Sequence, residues 1–336
     1  MTSKHLGRQT VRLGSPVSVL SYANIGGKQE AQGPLAGYFD ELNQDAYFGQ
    51  KSWEKGESAM QQFALRRAME KGGLIPEDLD YVLAGDLLNQ CIGSSFSLRN
   101  RGVPTLGLYG ACSTMAESLL LAAMSVSGGY ARTALAMTSS HFASSERQYR
   151  FPLGYGGQRT PTAQWTVTGA GAVLLGGGER GIRITAATIG SIVDRGICDA
   201  NNMGAAMAPA AFATLRAHFD DLHCTPEDYD VIITGDLGKL GSELLHGLLE
   251  KDGIRADVQD CGVMIFDAQR QDVHCGGSGC GCSASALSAV HPAGRVDPCR
   301  LPRRRSGKEL TWTISKHFWS AACCASSVRS SSTERS

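Results

Sequence analysis

Cys112 is the residue at which the sequence first indicates chemistry. It stands between the strand-like segment Thr105 to Gly110 and the run Ser113 to Val126, which suits a helix. A thiol at a helix N-terminus meets free backbone N–H groups and the positive end of the helix dipole, and both favour the thiolate. The pattern therefore predicts a reactive cysteine, with a buried structural cysteine as the alternative, since that is the usual fate of a free thiol.

A polar cluster follows this elbow in the sequence. Its members are Arg147, Arg150, Gln158, Arg159, Thr160, Thr162 and Gln164. Guanidinium groups and helix N-termini bind small anions well, although a solvated or interface loop explains any single arginine equally well. His141, after the strand-like run Thr133 to Met137, is a candidate base, but a lone histidine at a strand end is more often structural.

Two glycine-rich segments invite other assignments that their spacing does not support. His274, Cys275, Cys280 and Cys282 lack the paired Cys-x(2–4)-Cys spacing of structural zinc sites. The glycines at 169–171 and 276–279 lack the strand, the full Gly-x-Gly-x-x-Gly pattern and the acidic residue of a dinucleotide site. We therefore expect neither a metal nor a cofactor.

An internal repeat indicates how these residues are positioned. Residues 76–87 read PEDLDYVLAGDL and residues 226–237 read PEDYDVIITGDL, with seven of twelve positions identical. Each copy follows an alanine-rich helical stretch, Glu57 to Lys71 or Ala205 to Asp221. The repeat predicts helix, Pro-Glu-Asp turn and buried strand twice, and hence two fused α/β halves.

A second correspondence supports the duplication. Residues 110–116 and 279–286 both follow apolar segments and both open alanine- and serine-rich stretches. Further strands are predicted at Val17 to Tyr22, Thr105 to Tyr109, Thr133 to Met137, Trp165 to Leu175, Ile182 to Ile189 and Gln259 to Phe266. The alternation of strands and helices predicts a layered α/β architecture.

Composition limits the partners. The 336 residues carry 32 basic and 32 acidic side chains, so no global charge draws the chain to nucleic acid or to an anionic membrane. No apolar run approaches the roughly 20 residues of a spanning helix, and Met1 to Leu13 lacks the apolar core of a secretory signal. We expect a cytoplasmic protein that binds no nucleic acid, whose 11 cysteines are mostly reduced thiols.

The chain resembles known proteins at two levels. A duplicated α/β chain with a cysteine at the elbow of its first half resembles the thiolase and ketoacyl-synthase superfamily, in which that cysteine takes up an acyl group. Residues 85–90, 109–115, 138–142, 148–172 and 277–283 are similar to motifs of the stage V sporulation protein AD (SpoVAD) family, so the resemblance covers roughly residues 8 to 288. Gly154 departs from it, because the family is expected to carry an acidic residue there.

The resemblance implies a duplicated thiolase-like fold, αβαβα, with an N-terminal half over 1–180 and a C-terminal half over 181–290. It implies a dipicolinic-acid-binding component of the SpoVA transport machinery, acting in uptake during sporulation and release at germination. The ligand-binding residues would be Cys112, His141, Arg147, Arg150, Gln158, Thr160, Thr162, Gln164, Asp236, Cys280 and Cys282. Partners would be dipicolinic acid, free or as its calcium chelate, other SpoVA membrane proteins and a second copy of the chain, in the cytoplasm or forespore beside the spore inner membrane.

Catalysis is the alternative function. An acyltransferase of this superfamily would use Cys112, with His141 as the remaining base. Such enzymes also need a base and oxyanion donors from the second half. Here Thr234 to Gly238 contains no histidine, and Cys280 and Cys282 occupy the region of the usual asparagine or second histidine. We therefore expect a binding protein, with a scaffold that docks on membrane partners as a third option.

The tail, residues 291–336, differs from the rest. It carries Arg303 to Arg305 and a serine run, with little apolar periodicity. We interpret it as aberrant or disordered, which leaves the second half short of strands. A frameshift or aberrant gene end just after the helix near Cys282 is our hypothesis, and a native basic partner-binding arm is the alternative.

Overall fold

The computed structural model describes residues 4–149, 158–179, 181–290, 308–316 and 324–330. The helices are α1 (Trp53–Gly72), α2 (Ile92–Leu98), α3 (Thr114–Ser127), α4 (Phe142–Tyr149), α5 (Met203–Leu222), α6 (Gly238–Lys251), α7 (Cys261–Met264) and α8 (Cys280–Val290). The strands are β1 (Thr10–Gly26), β2 (Glu41–Leu42), β3 (Tyr81–Gly85), β4 (Thr105–Leu108), β5 (Thr133–Ser140), β6 (Trp165–Thr166), β7 (Gly169–Gly177), β8 (Arg183–Ile192), β9 (Tyr229–Thr234), β10 (Val258–Asp260), β11 (Gly277–Ser278), β12 (Lys308–Lys316) and β13 (Cys324–Ser330).

One curled sheet holds most of the strands. Its order is β10-β9-β13-β12-β8-β1-β7-β5-β3-β4, and β2 pairs with β1. The long strand β1 joins the halves, because it pairs with β7 in the first half and with β8 in the second. Strands β3, β4 and β5 are parallel, so their carboxyl ends meet at one edge, where Cys112 follows β4.

The helices form three layers around the two parts of the sheet. Helix α1 packs its buried side on β3, β5 and β7, and α5 and α6 pack on β9 and β10. Helices α3 and α8 lie between the two parts, in a cluster that takes residues from both. The whole of 280–288 in α8 is buried, which explains its small alanine and serine side chains, since an inner helix has no solvent face. The duplicated αβαβα fold is confirmed.

The repeat has the predicted local structure in both copies. Pro76–Asp78 and Pro226–Asp228 each form a 3-10 turn between a long helix and a buried strand. In each turn the carboxylate of the aspartate accepts a hydrogen bond at 2.9 Å from a backbone N–H three residues earlier, at Ile75 or Thr225. The superposition of the two copies about a pseudo-twofold axis, and the boundary near 180, remain predictions.

Two predicted strands need correction. Gln259 to Phe266 is not one strand, because β10 ends at Asp260 and α7 begins there. The Asp260 side chain accepts a hydrogen bond from the Val263 N–H at 3.2 Å, and this cap starts the helix. Trp165 to Leu175 is two strands, since β6 pairs with β11 whereas β7 pairs with β1 and β5.

The expectation that the tail adds no strand is also wrong. Strand β12 pairs with β8 in parallel, and β13 pairs with β12 and β9. Residues 310–314 read LTWTI, a period-two alternation of apolar and polar residues that is typical of a strand. The origin of the tail remains a hypothesis.

Candidate functional site

Cys112 occupies the predicted elbow. A 3-10 turn, Ala111–Ser113, follows β4 and leads into α3. Ala111 has φ 50°, a left-handed conformation that is unfavourable for a residue with a Cβ and that is often retained at functional sites. Cys112 is only 3% exposed, so its thiol lies below the surface.

Asp236 is the group that most affects this thiol. It follows β9, is fully buried, and accepts a hydrogen bond from the Gly279 N–H at 2.8 Å. Burial raises the pKa of Asp236 to about 7 although the Cys112 thiol hydrogen-bonds its carboxyl group. Burial and this carboxylate raise the pKa of Cys112 well above its usual value. Low polarity and a nearby negative charge therefore disfavour the expected thiolate, against the effect of the helix terminus.

The repeat supplies a second buried aspartate. Asp86 follows β3 as Asp236 follows β9, and it accepts from the Ser94 N–H at 2.7 Å and the Leu88 N–H at 3.0 Å. Both aspartates, together with Glu57, raise the pKa of the buried Cys280 thiol beyond the effect of burial alone. Cys280 therefore lies among three acidic groups.

Glu57 and Asp86 were not predicted as site residues. Glu57 on α1 is fully buried and accepts from the hydroxyls of Ser139 at 2.9 Å and Ser144 at 2.8 Å. Burial and the Asp86 carboxylate raise the pKa of Glu57 to about 8, so it is protonated at neutral pH. The Gly-Asp-Leu at both strand ends was a signal for Asp86, whereas no sequence pattern marks Glu57.

His141 is placed as a structural residue. Its Nδ1 accepts from the Ala143 N–H at 3.2 Å, and its Nε2 lies 2.7 Å from the Ala46 carbonyl oxygen. The neutral ring satisfies both contacts, and burial lowers the pKa of His141. A ring held in this way has no free nitrogen with which to take the proton of Cys112.

Three further predicted residues lie in the same buried region. The Cys280 thiol donates to the Ser139 carbonyl at 3.0 Å, and the Cys282 thiol lies 3.6 Å from the Gly235 carbonyl. Gln164 Nε2 donates to the carbonyl oxygens of Asp236 at 2.8 Å and Gly277 at 2.9 Å. The structure thus brings Cys112, Gln164, Asp236, Cys280 and Cys282 together.

The other described members of the polar cluster make most of their contacts outside that buried group. Arg147 forms an ion pair with Glu54, and its guanidinium lies 5.2 Å from the centre of the Trp53 ring. Arg159 stacks on Trp165 at 4.6 Å and donates to the Asp272 carbonyl oxygen at 2.7 Å. The hydroxyls of Thr160 and Thr162 lie 3.1 Å apart. Gln158 is exposed, and Arg150 and Gly154 lie outside the described residues.

Two negative findings apply to the described part of the chain. Within it, no three His, Cys, Asp or Glu side chains are placed to share a metal ion. None of its helices has both the length and the apolar character needed to cross a bilayer.

The arrangement disfavours nucleophilic attack by Cys112. The Cys112 thiol has a pKa well above that of Asp236, so transfer of its proton to this carboxylate is unfavourable. The second-half strand end thus presents a carboxyl group where a condensing enzyme would need a base and a hydrogen-bond donor.

Comparison by sequence identifies one family. The model of the family described as Stage V sporulation protein AD (SpoVAD) matches residues 7–291. Stage V sporulation protein AD of Bacillus subtilis (strain 168) is 44% identical over 283 residues, which are 84% of this chain and 83% of that protein.

Comparison by structure identifies the fold. Cerulenin-bound OleA from Xanthomonas campestris is 16% identical, with a TM-score of 0.58, over 94% of this chain and 97% of that one. The 3-oxoacyl-[acyl-carrier-protein] synthase III from Aquifex aeolicus VF5 is 14% identical, with a TM-score of 0.55, over 94% of this chain and 100% of that one. At these identities the likeness shows the thiolase-like fold alone.

Proposed function

The chain belongs to the stage V sporulation protein AD family, and from this membership we propose that it binds dipicolinic acid for the SpoVA transport machinery, in uptake during sporulation and in release at germination. The observation that carries the proposal is the family match over residues 7–291, and the raised pKa of Cys112 beside Asp236 disfavours the thiolate that acyl transfer would need. A fold that other proteins use for acyl transfer would then bind a ligand without catalysis.

The charge of the site bears on the form of the ligand. Dipicolinate is a planar dianion, and the buried groups Asp86, Asp236 and Glu57 are acids. Burial raises the pKa of each, to about 8 for Glu57 and about 7 for Asp236, which favours the neutral forms and so reduces their repulsion of an anion. Binding as the calcium chelate would reduce it further, because the metal neutralises the carboxylates.

A calorimetric titration of dipicolinate tests the proposal. Two arginine variants make the test more specific. The proposal expects saturable binding. Arg150→Ala should weaken it by about 10- to 150-fold, or about 1.5–3 kcal/mol, for a lost charged hydrogen bond. Arg147→Ala is the matched control and should change Kd less than about threefold, because Arg147 is engaged by Glu54 and Trp53. The expectation for Arg150 rests on the sequence alone. Equal changes of Kd in the two variants would contradict it.

An acyltransferase that uses Cys112 is the second candidate. The elbow position of Cys112 and the likeness to ketosynthase III structures favour it. It would require Cys112 to lose its proton on substrate binding, against the effect of burial and of Asp236.

Partners are part of the proposal. Association with the spore inner membrane would run through the other SpoVA membrane proteins, from the cytoplasmic or forespore side. A homodimer is supported by β4, which forms an outer edge of the described sheet. Leu106 on β4 is 51% exposed, and Phe96 on α2 is 50% exposed. An unpaired strand edge with exposed apolar side chains is a surface that a second copy covers.

Leu106→Lys should therefore shift the protein from dimer to monomer. In an isologous interface the substitution occurs on both sides, so two lysine ammonium groups would have to be buried in an apolar contact. Light scattering after size exclusion should give twice 35.6 kDa for the wild type and 35.6 kDa for the variant. Leu244→Lys on α6, at 40% exposure, is the control and should remain dimeric. A monomeric wild type would contradict the proposal.

We also propose that the tail, residues 291–336, is an aberrant gene end. The family match ends at residue 291, as expected if an aberrant sequence begins there. Reading the gene downstream of the Cys282 codon in the other frames tests this. A thiolase-like terminus encoded in another frame is the expected result, and its absence would favour a native tail.

A further inference from the structure

Two tyrosines lie together at the surface near the Cys112 elbow. Tyr109 follows β4 and Tyr149 ends α4, and their hydroxyl oxygens are 2.9 Å apart. Both side chains are about half exposed, at 51% and 52%. Both hydroxyls contact the carbonyl oxygen of Leu87, which follows the buried Asp86, and Tyr109 lies three residues before Cys112 in the chain, so the pair lies near the elbow.

The hydroxyl groups hold the rings in place. Tyr149 donates to the Leu87 carbonyl oxygen, and the Tyr109 hydroxyl lies 3.3 Å from Asn89 Oδ1. Each phenol has one proton, so these contacts use the donors internally. The exposed part of each side chain is therefore mainly aromatic surface.

Gln148 adds a donor to the same rim. Its Oε1 accepts from the Asn89 N–H at 3.2 Å, which fixes the carboxamide. Its Nε2 is buried and has no hydrogen-bond partner within the described part of the chain. A buried N–H without a partner costs free energy, which a ligand carboxylate would recover.

The floor beneath this rim is closed. Cys112 is 3% exposed, and Asp236 and Cys280 are fully buried. A pyridine ring therefore reaches the tyrosines before it reaches any thiol. Cys280, which the family resemblance assigns to the ligand, is closed to solvent.

We propose that Tyr109, Gln148 and Tyr149 form an aromatic clamp that selects planar aromatic dicarboxylates, with the tyrosine rings stacking on the ligand ring and the Gln148 amide binding a carboxylate. The inference rests on the proposed dipicolinate binding and adds the residues that discriminate ring type. Stacking depends on the tyrosine rings and not on their hydroxyl protons.

The test compares dipicolinate with cis-cyclohexane-1,3-dicarboxylate, which has the same carboxylate spacing on a saturated ring. Aromatic selectivity is measured as the Kd of the saturated ligand divided by the Kd of dipicolinate. Tyr149→Leu and Tyr109→Leu should each lower this ratio by about 3- to 10-fold, whereas Tyr149→Phe should preserve it. Gln148→Leu should weaken both ligands alike and leave the ratio unchanged. Tyr130→Leu, at a side chain 79% exposed, is the surface control.

The outcomes separate the two proposals. Dipicolinate binding by the wild type with an unchanged ratio in both leucine variants would overturn the clamp alone. No dipicolinate binding by the wild type would overturn the proposed function and the clamp with it. If a leucine variant is not folded at the temperature of the titration, Tyr149→Trp tests the clamp instead. Because it retains an aromatic ring, this variant should keep or raise the ratio.

Discussion

Raising the pH from about 6 to about 9 should lower the melting temperature of the protein, and Glu57→Gln should remove a large part of this dependence. Glu57 is fully buried, and its pKa rises to about 8 through burial and the nearby Asp86 carboxylate. In the unfolded chain the pKa returns to 4.5. Between these values the folded protein holds a proton that the unfolded chain releases.

The sign of the effect follows from this proton. Stability falls as pH rises wherever the folded state binds more protons, by about 1.4 kcal/mol per pH unit for each proton. Glu57 contributes between pH 4.5 and about 8, and above that its carboxylate forms in the folded state. Glu30 and Asp236, whose pKa values are raised to about 7, also make the free energy of unfolding fall as pH rises, at lower pH than Glu57 does. Wild type should therefore be most stable on the mildly acidic side.

Glu57→Gln keeps an acceptor for the Ser139 or Ser144 hydroxyl and carries no charge at any pH. The variant should be more stable than wild type near pH 9 and should show a flatter profile in thermal melts. Asp80→Asn is the control, because Arg132 lowers the pKa of Asp80 to about 2, so its contribution is lost only in acid. A Glu57→Gln profile as steep as that of wild type would contradict this assignment.

The sequence predicted the parts of the fold that depend on local pattern. The Pro-Glu-Asp turns, the buried strands after them and the elbow at Cys112 each have a signature within a dozen residues. The break at Asp260 was missed, because a helix cap within an apolar run depends on one side chain. Strand β12 was missed because its alternation spans only five residues within a charged, serine-rich tail.

The site was less predictable, since its character depends on residues far apart in the chain. The spacing placed Cys112 at a helix N-terminus and so indicated thiolate, but it could not show that Asp236, over a hundred residues later, would adjoin the thiol. Glu57 likewise has a raised pKa only because the fold buries it and places the Asp86 carboxylate nearby, which outweighs the hydrogen bonds from Ser144 and Ser139. Tyr109 and Tyr149 meet only through tertiary structure, since 40 residues separate them in the chain.

Cys112→Ala should leave most of the dipicolinate affinity intact. The thiol is 3% exposed and protonated, so it offers the ligand neither a charge nor an accessible surface. We expect Kd to change by less than about threefold, since the substitution removes one weak donor beneath the site. An acylating enzyme requires the opposite, because loss of its nucleophile abolishes the covalent step.

The most direct measurement takes wild type and Cys112→Ala side by side, titrates each with dipicolinate by calorimetry, and records intact masses after incubation with acyl-CoA thioesters. The account predicts saturable dipicolinate binding by both proteins and no acyl adduct on either. A stable adduct on the wild type that is absent from Cys112→Ala, together with no measurable dipicolinate binding, would contradict it.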